Sequence, residues 1–473
     1  MGHRSSHPNN LQKFAAIVFS ALLVLPIPAI ARVPGGPRDV GSPTLGVSGV
    51  PMTWNPTAMP IHYRVDPGPM AISPSGTVVI DNAAGRTRVQ NMFNTWVNVP
   101  TASIAFQNDG QLLSSGAYTG GPVSSGGNGV ANFNALIASC NNGEQSPVIF
   151  DPNGNLFSDL GFSADIIGFA FSCAFDPAAG HIKAAGLAMN GVFQDGNSTN
   201  NFELTANEFN QAITHEIGHL LGLDHSQINV EVLNETPLHC NTADDEGLPL
   251  MFPVLICQDR VTAGFPALAP DDMAWISRLY PVTSPASGKT VTNSAYGTIS
   301  GTVYFSDGIT AAQGVNVIAR QVGNPRSIAF SAVSGYLFTG NPGQKVTCKD
   351  PANPTPATCS NLGSSFGSRT ASQIGTFDIP VTPGTYTIEL ESINANFVGG
   401  SSVGPLFVPN PMPGTAPTLG SVSVRAGATV DVNITLRGTP QRFDPFESSE
   451  LTVGDELWLW DRQERLLTRA ETR

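Results

Sequence analysis

Apolar residues recur at helical spacing in residues 206–221, where Phe209, Ile213, Ile217, Leu220 and Leu221 fall on one stripe. Thr205 and Glu208 stand three apart before that stripe, the arrangement of a capping box, so a helix is predicted to begin near Ala206. "AAGRTRVQNMFNTWVNV" repeats the spacing with Val89, Met92, Phe93 and Trp96. "APDDMAWISRLYP" predicts another helix, with Pro270 in its first turn and Asp271 and Asp272 placed to suit the helix dipole. Between these helices, strands are predicted in "MPIHYRVD", "SIAFQ", "SPVIFD", "IIGFAFS" and "IKAAGLAMNGVF". The order strand, helix, strand is the opening of an α/β unit with a crossover connection.

The texture changes after residue 281. Residues 282–297 are rich in Ser, Thr, Pro and Gly and read as a linker. From 298 to 437 the pattern is period two: "TISGTVYF", "GVNVIARQV", "GTFDIPV", "GTYTIELES", "SVSVRAG" and "TVDVNITLR", each bounded by Gly or Pro. The expected fold of this part is an antiparallel β-sandwich, interrupted by a Gly/Pro/Ser-rich insertion from about 323 to 372. Residues 438–473 form a tail dense in charges of both signs.

Length and composition agree with two or three units: 473 residues, 41% hydrophobic and only 12% charged, about half the usual charged share. The net charge of −13 argues against a nucleic-acid partner, because few cations are present to displace counterions from phosphates. Arg4 and Lys13 precede the apolar run "FAAIVFSALLVL", and Ala29-Ile30-Ala31 follows in a small-x-small pattern. A secretory signal peptide over residues 1–31 is expected, then a flexible or short pro-segment at 32–51, with no membrane insertion of the mature chain. That places the protein outside the cell or in a periplasm. Six cysteines fit an oxidising space; their order suggests Cys140–Cys173, Cys240–Cys257 and Cys348–Cys359, although other pairings are equally allowed by sequence.

The chemistry concentrates in "ITHEIGHLLGLDHS", which holds three of the chain's eight histidines. His215 and His219 are one turn apart on a single helix face. Gly222 can adopt the left-handed conformation that ends a helix and lets His225 return to the same point. Three imidazoles with one position open are the ligand set of a catalytic zinc, and nitrogen donors exclude calcium and magnesium there. Glu216, beside His215, suits a general base for a water whose pKa the zinc lowers to about 7. A binding relic would have no physical need for that carboxylate.

"HEIGHLLGLDHS" resembles the zinc helix of the metzincin metalloproteases, and the serine after the third histidine resembles the matrixin branch. The resemblance implies a methionine turn beneath the zinc, for which "LPLMFP" offers Met251. "IHYRV", "FNTWVNVPTASIAF" and "APDDMAWISRLYP" are similar to further matrixin elements, so the likeness spans residues 52–281. It implies an α/β (α+β) catalytic domain with a twisted mixed sheet, one zinc ion, and a protein or peptide substrate. Two departures stand out: a long gap from His225 to Met251 containing Cys240, and no histidine-rich structural-zinc loop. Residues 298–437 resemble the carboxypeptidase regulatory-like β-sandwich.

"DPNGNLFSD" groups Asp151, Asn153, Asn155 and Asp159, oxygens able to hold calcium or simply to shape an Asn/Gly turn. The function expected overall is a secreted zinc endopeptidase. The alternatives are a secreted adhesion or binding protein on the same scaffold, and a zinc amidase acting on cell-wall peptides.

Overall fold

In strand β1 (Ile61–Val65) the side chains of Ile61, Tyr63 and Val65 are buried while His62 is exposed, the alternation that period two predicts. Helix α1 (Asn82–Val97) is capped by Asp81, whose side chain accepts from Ala84 N, and it buries Val89, Phe93 and Trp96. Strand β2 (Phe106–Gln111) follows, starting three residues later than "SIAFQ" suggests. Helix α2 (Gly129–Asn141), strands β3 (Pro147–Asp151), β4 (Gly168–Phe175) and β5 (Ile182–Asn190), and helix α3 (Ala206–Leu220) complete the first layer set. The sheet order is β2-β1-β3-β5-β4. All neighbours pair in parallel except β4, which runs antiparallel to β5 at the edge. The computed structural model describes residues 53–438, leaving out 233–239, 393–413, most of 336–374 and several shorter runs.

Strand β3 is buried at all five positions, as expected for a parallel strand covered on both faces. Its side chains divide by parity. Val148 and Phe150 join the cluster containing Phe93, Trp96, Ile213 and Ile217, so α1 and α3 cover that face. Ile149 joins Phe133, Leu136 and Phe169, so α2 covers the other. Helix α2 was not predicted: a Gly- and Asn-rich stretch masks its stripe of Phe133, Leu136 and Cys140, because Gly and Asn are poor helix formers and the N-cap Asn128 makes no side-chain capping bond. Tertiary burial supplies what propensity lacks.

Two short helices follow α3: α4 (Thr242–Gly247), begun by an Asn241–Asp244 capping box, and α5 (Pro270–Leu279), which starts at Pro270 as predicted. Disulfides join Cys140 to Cys173 and Cys240 to Cys257. Cys348 and Cys359 are register partners in a two-residue strand pair; their side chains lie outside the described residues. So do nearly all of residues 1–31, where a signal peptide is expected, nearly all of 32–51, the tail from 439 and His239.

The second half carries β6 (Gly297–Tyr304), β7 (Val315–Gln321), β8 (Ala329–Val333), β9 (Thr376–Val381), β10 (Gly384–Ser392), β11 (Val422–Val424), β12 (Thr429–Asp431) and β13 (Ile434–Thr435). They form two four-stranded sheets: β9-β6-β12 with β13 also on β6, and β8-β7-β10-β11. The expectation of wholly antiparallel pairing is corrected, because β6 runs parallel to both β12 and β13. The expected insertion is also corrected at its start: Ala329–Val333 is a fully buried strand within it.

The apolar cluster of this half, with Ile299, Val317, Phe330, Phe377 and Ile388, is continuous with Trp275 and Ile276 of α5 and thence with α3. Residues 282–297 are pinned down: Lys289 Nζ donates to Val97 O (2.6 Å) and Val99 O (2.9 Å), and Thr290 N to Pro100 O (2.8 Å). Among the described residues no helix is long and apolar enough to cross a membrane.

Candidate metal centre

Helix α3 is held at both ends before any ligand is considered. The capping box forms as predicted: Glu208 N donates to Thr205 Oγ1 (3.2 Å) and Thr205 N to Glu208 Oε2 (2.7 Å). Carbonyls along the helix and at its last turn accept from aromatic donors: Trp96 Nε1 to Thr214 O (2.9 Å), Trp54 Nε1 to Leu220 O (2.8 Å) and Tyr280 Oη to Leu221 O (2.7 Å). Gly222 sits at φ +96°, and the bonds Gly222 N to His219 O and Leu223 N to Gly218 O close a Schellman motif. The chain therefore reverses where the spacing of Gly222 predicts.

His215, His219 and His225 are all buried, and their ring nitrogens lie within 4.8 Å of one another. Nε2 of His225 is 3.3 Å from that of His215 and 3.1 Å from that of His219. His215 Nδ1 donates to Leu250 O and His219 Nδ1 to Leu223 O, both at 2.8 Å. A carbonyl only accepts, so those two rings carry their proton on Nδ1 and offer an Nε2 lone pair to the centre. Burial pushes His215 down to about 4, against the opposing pull of the Leu250 carbonyl, and takes His225 well below its ordinary range with His215 adding to the effect. Neutral rings are the ligand form.

Converging lone pairs repel unless a cation lies between them. Two nitrogens each about 2.0–2.1 Å from a tetrahedral zinc would be separated by about 3.3 Å, close to the spacing present. The donor set therefore fits zinc. One other group of the right kind occurs among the described residues, Cys240, Asp245 and Cys257, but its two sulfurs are joined as a disulfide. Glu216, next to His215, is buried in α3 beside the ligands.

Met251 packs against helix α3 at Gly218. Its sulfur packs where a methyl on Gly218 would stand, and the Trp96 ring would be 3.0 Å from that methyl. Ala is favoured over Gly in a free helix by about 1 kcal/mol, but overpacking a core costs about 1–3 kcal/mol. Gly218→Ala should therefore lower the thermal midpoint; a raised midpoint would show that Met251 moves aside freely.

Sequence reasoning missed the supports of this turn. Asp272, assigned only a dipole role, accepts from Leu250 N (2.8 Å), Met251 N (3.1 Å) and Ala269 N (2.8 Å). Asp271 accepts from Ser226 Oγ at 3.0 Å, and Ser226 N donates to Met251 O at 3.0 Å. Burial, then the charge of Asp272, pushes Asp271 well above the usual carboxylate range. Arg260, almost fully buried, donates to the carbonyls of Asp245, Glu246, Leu248 and Pro266. The adjacent acids at a helix start were the only available signal, and they do not reveal what they hold.

The oxygens considered for calcium serve a turn. Asp151 accepts from Ser124 Oγ (2.8 Å) and Phe157 N (2.9 Å), and Asn153 Oδ1 from Asn155 N (3.3 Å); Asn155 and Asp159 begin and end a five-residue helix. In these bonds the Asp151 and Asn153 oxygens accept from protein donors, as an Asn/Gly turn requires. His181 Nδ1 bonds Thr53 O (3.1 Å) and His62 Nδ1 contacts Asp109, far from the ligands in sequence and role.

No protein-family model matches the chain, and no curated protein is similar to it. Ten solved chains match. One of them, from the GM1 bound form of the ECX AB5 holotoxin, is 16% identical over 40% of this chain and 59% of its own length, with a TM-score of 0.20. A likeness that slight carries no argument about fold or activity.

Proposed function

We propose that the protein is a secreted, zinc-dependent endopeptidase of the metzincin kind, with residues 52–281 as a matrixin-like catalytic unit and 298–437 as a β-sandwich of the carboxypeptidase regulatory-like type. The observation that carries this reading is the meeting of three imidazole Nε2 atoms at 3.1–3.3 Å, on and just beyond a buried helix that also bears Glu216. A mixed sheet under that helix and Met251 packed against Gly218 support it.

His215, His219 and His225 would hold the ion through Nε2, with the Leu250 and Leu223 carbonyls keeping two of the rings in the right tautomer. Bound zinc supplies a Lewis acid that acidifies water and polarises a substrate carbonyl. Glu216 takes a proton from the attacking water and returns it to the departing amine, so that one C–O bond forms as the C–N bond breaks. Burial around the histidines keeps bulk water from competing at the ligands.

The test is incubation of the purified chain with a peptide library, with and without phenanthroline. Internal cleavage, abolished by the chelator and restored by added zinc, is expected. Cleavage confined to cell-wall peptides would move the reading to an amidase, and zinc binding with no hydrolysis would move it to a binding protein.

A further inference from the structure

A buried polar joint ties the chain after the third histidine to the second pair of sheets. Asn229 is fully buried, at φ 61°. Its Nδ2 donates to Gly247 O (3.2 Å) and to Arg326 O (3.0 Å), and its Oδ1 accepts from Arg320 Nη1 (2.7 Å). Arg320 projects from β7, almost fully buried, and also pairs with Glu389 and Glu391 of β10. Arg326, in the β7–β8 hairpin, grips the buried carboxylate of Asp244 through Nε (2.6 Å) and Nη2 (2.5 Å). Ile228 packs on Ile318 and Ala329 of the same hairpin. Gly247 lies so close that a methyl there would overlap the Arg326 carbonyl.

A second contact reaches the residue next to a ligand. Ser331 N, in β8, donates to Asp271 Oδ1 (3.1 Å), whose other oxygen accepts from Ser226, the neighbour of His225. Trp275 Nε1 donates to Ser331 O (2.8 Å), so α5 and β8 are bonded in both directions.

Between His225 and Met251 the chain has only α4 as a regular element among its described residues. Connections of that length with so little regular structure are uncommon in a compact domain, and this one is tied by the Cys240–Cys257 disulfide, by Arg260 and by Asp272 as well as by the hairpin. Networks of buried, mutually satisfied polar groups fix register and orientation more than they add net stability. We propose that the β7–β8 hairpin, through Arg320, Arg326 and the Ser331 backbone, is a positioning element of the metal centre. It sets Ser226, Asn229 and residues 240–251, which lead to the carbonyl of Leu250 that orients His215, and so sets how a peptide substrate fits. The paired sheets are then part of the working unit, not an appendage. The substrate half of this inference rests on the endopeptidase reading; the structural half does not.

The experiment compares the full zinc-loaded chain with Arg326→Ala and Arg326→Lys. In the alanine variant, amide hydrogen exchange across 240–251 should accelerate by about tenfold or more while β1–β5 exchange as in wild type. For a peptide found in the library, KM should rise by about tenfold with kcat changed far less, since ground-state fit is what is lost. Lysine, which keeps the charge but not the two-nitrogen grip, should restore part of both. Unchanged exchange at 240–251, or exchange that accelerates evenly over the whole chain, overturns the proposal, as does an unchanged KM beside a lowered thermal midpoint. Should the alanine variant fail to fold, the lysine variant decides by the same readings. A wild-type chain that cleaves no peptide sinks the endopeptidase reading alone, and the exchange pattern still decides the joint.

Discussion

Glu216→Ala should keep one zinc ion per chain and lose peptide hydrolysis by about 10²–10⁴-fold in kcat/KM, the range for a positioned general base. Zinc retention follows from how α3 is held. Its capping box, the Trp96 and Trp54 bonds and the Tyr280 bond all act on the helix backbone, and none involves the Glu216 side chain. The histidine rings are oriented by the Leu250 and Leu223 carbonyls, again without it. The substitution therefore separates ligand geometry from proton transfer. Glu216→Gln sharpens the comparison, because it keeps the shape and loses only the basic oxygen. Metal content and steady-state rates on the same preparations check it. A variant that holds zinc and turns over at the wild-type rate would remove Glu216 from the chemistry.

The centre was more legible in sequence than the structure around it. Helix α3 announced itself three ways, by its stripe, by Thr205 with Glu208, and by Gly222, and all three are local signals. The three histidines fall within eleven residues, so helix geometry for His215 and His219 and the turn at Gly222 for His225 are enough to bring them together. What could not be read depends on distant partners. Asp272 meets Leu250 across 22 residues and Asp271 meets Ser331 across 60, and no periodicity encodes such pairings.

Two of the elements absent from the strand and helix expectations escaped for the same reason. Helix α2 is written in Gly and Asn, and β8 lies at the head of a segment whose composition speaks for loop. In both, burial against a sheet outweighs a weak local preference. The oversight at β8 matters most, since that strand carries the Ser331 contact to Asp271. A sequence reading that ends the catalytic unit at residue 281 cannot see that α5 completes its hydrogen bonding in the next sheet.

His225→Ala should weaken zinc binding by more than about 100-fold. Loss of a mere outer partner of a ligand already costs about 10–100-fold, and His225 supplies one of only three rings at the centre. Two buried imidazoles on one helix face remain, and two ligands hold zinc far less tightly than three. Because zinc that binds only the folded chain stabilises it in proportion to the logarithm of its concentration over Kd, the effect appears in melting as well as in metal content. Added zinc should raise the thermal midpoint of the wild type and leave that of His225→Ala nearly unmoved. Ser226→Ala makes the graded comparison. It removes the bond to Asp271 while leaving the ring and the Ser226 N–H bond to Met251 in place, so a loss of about 10-fold is expected, at the lower end of the outer-partner range. Full zinc retention in His225→Ala would mean that the three nitrogens meet for a reason other than a metal, and the hydrolase reading would fall with them.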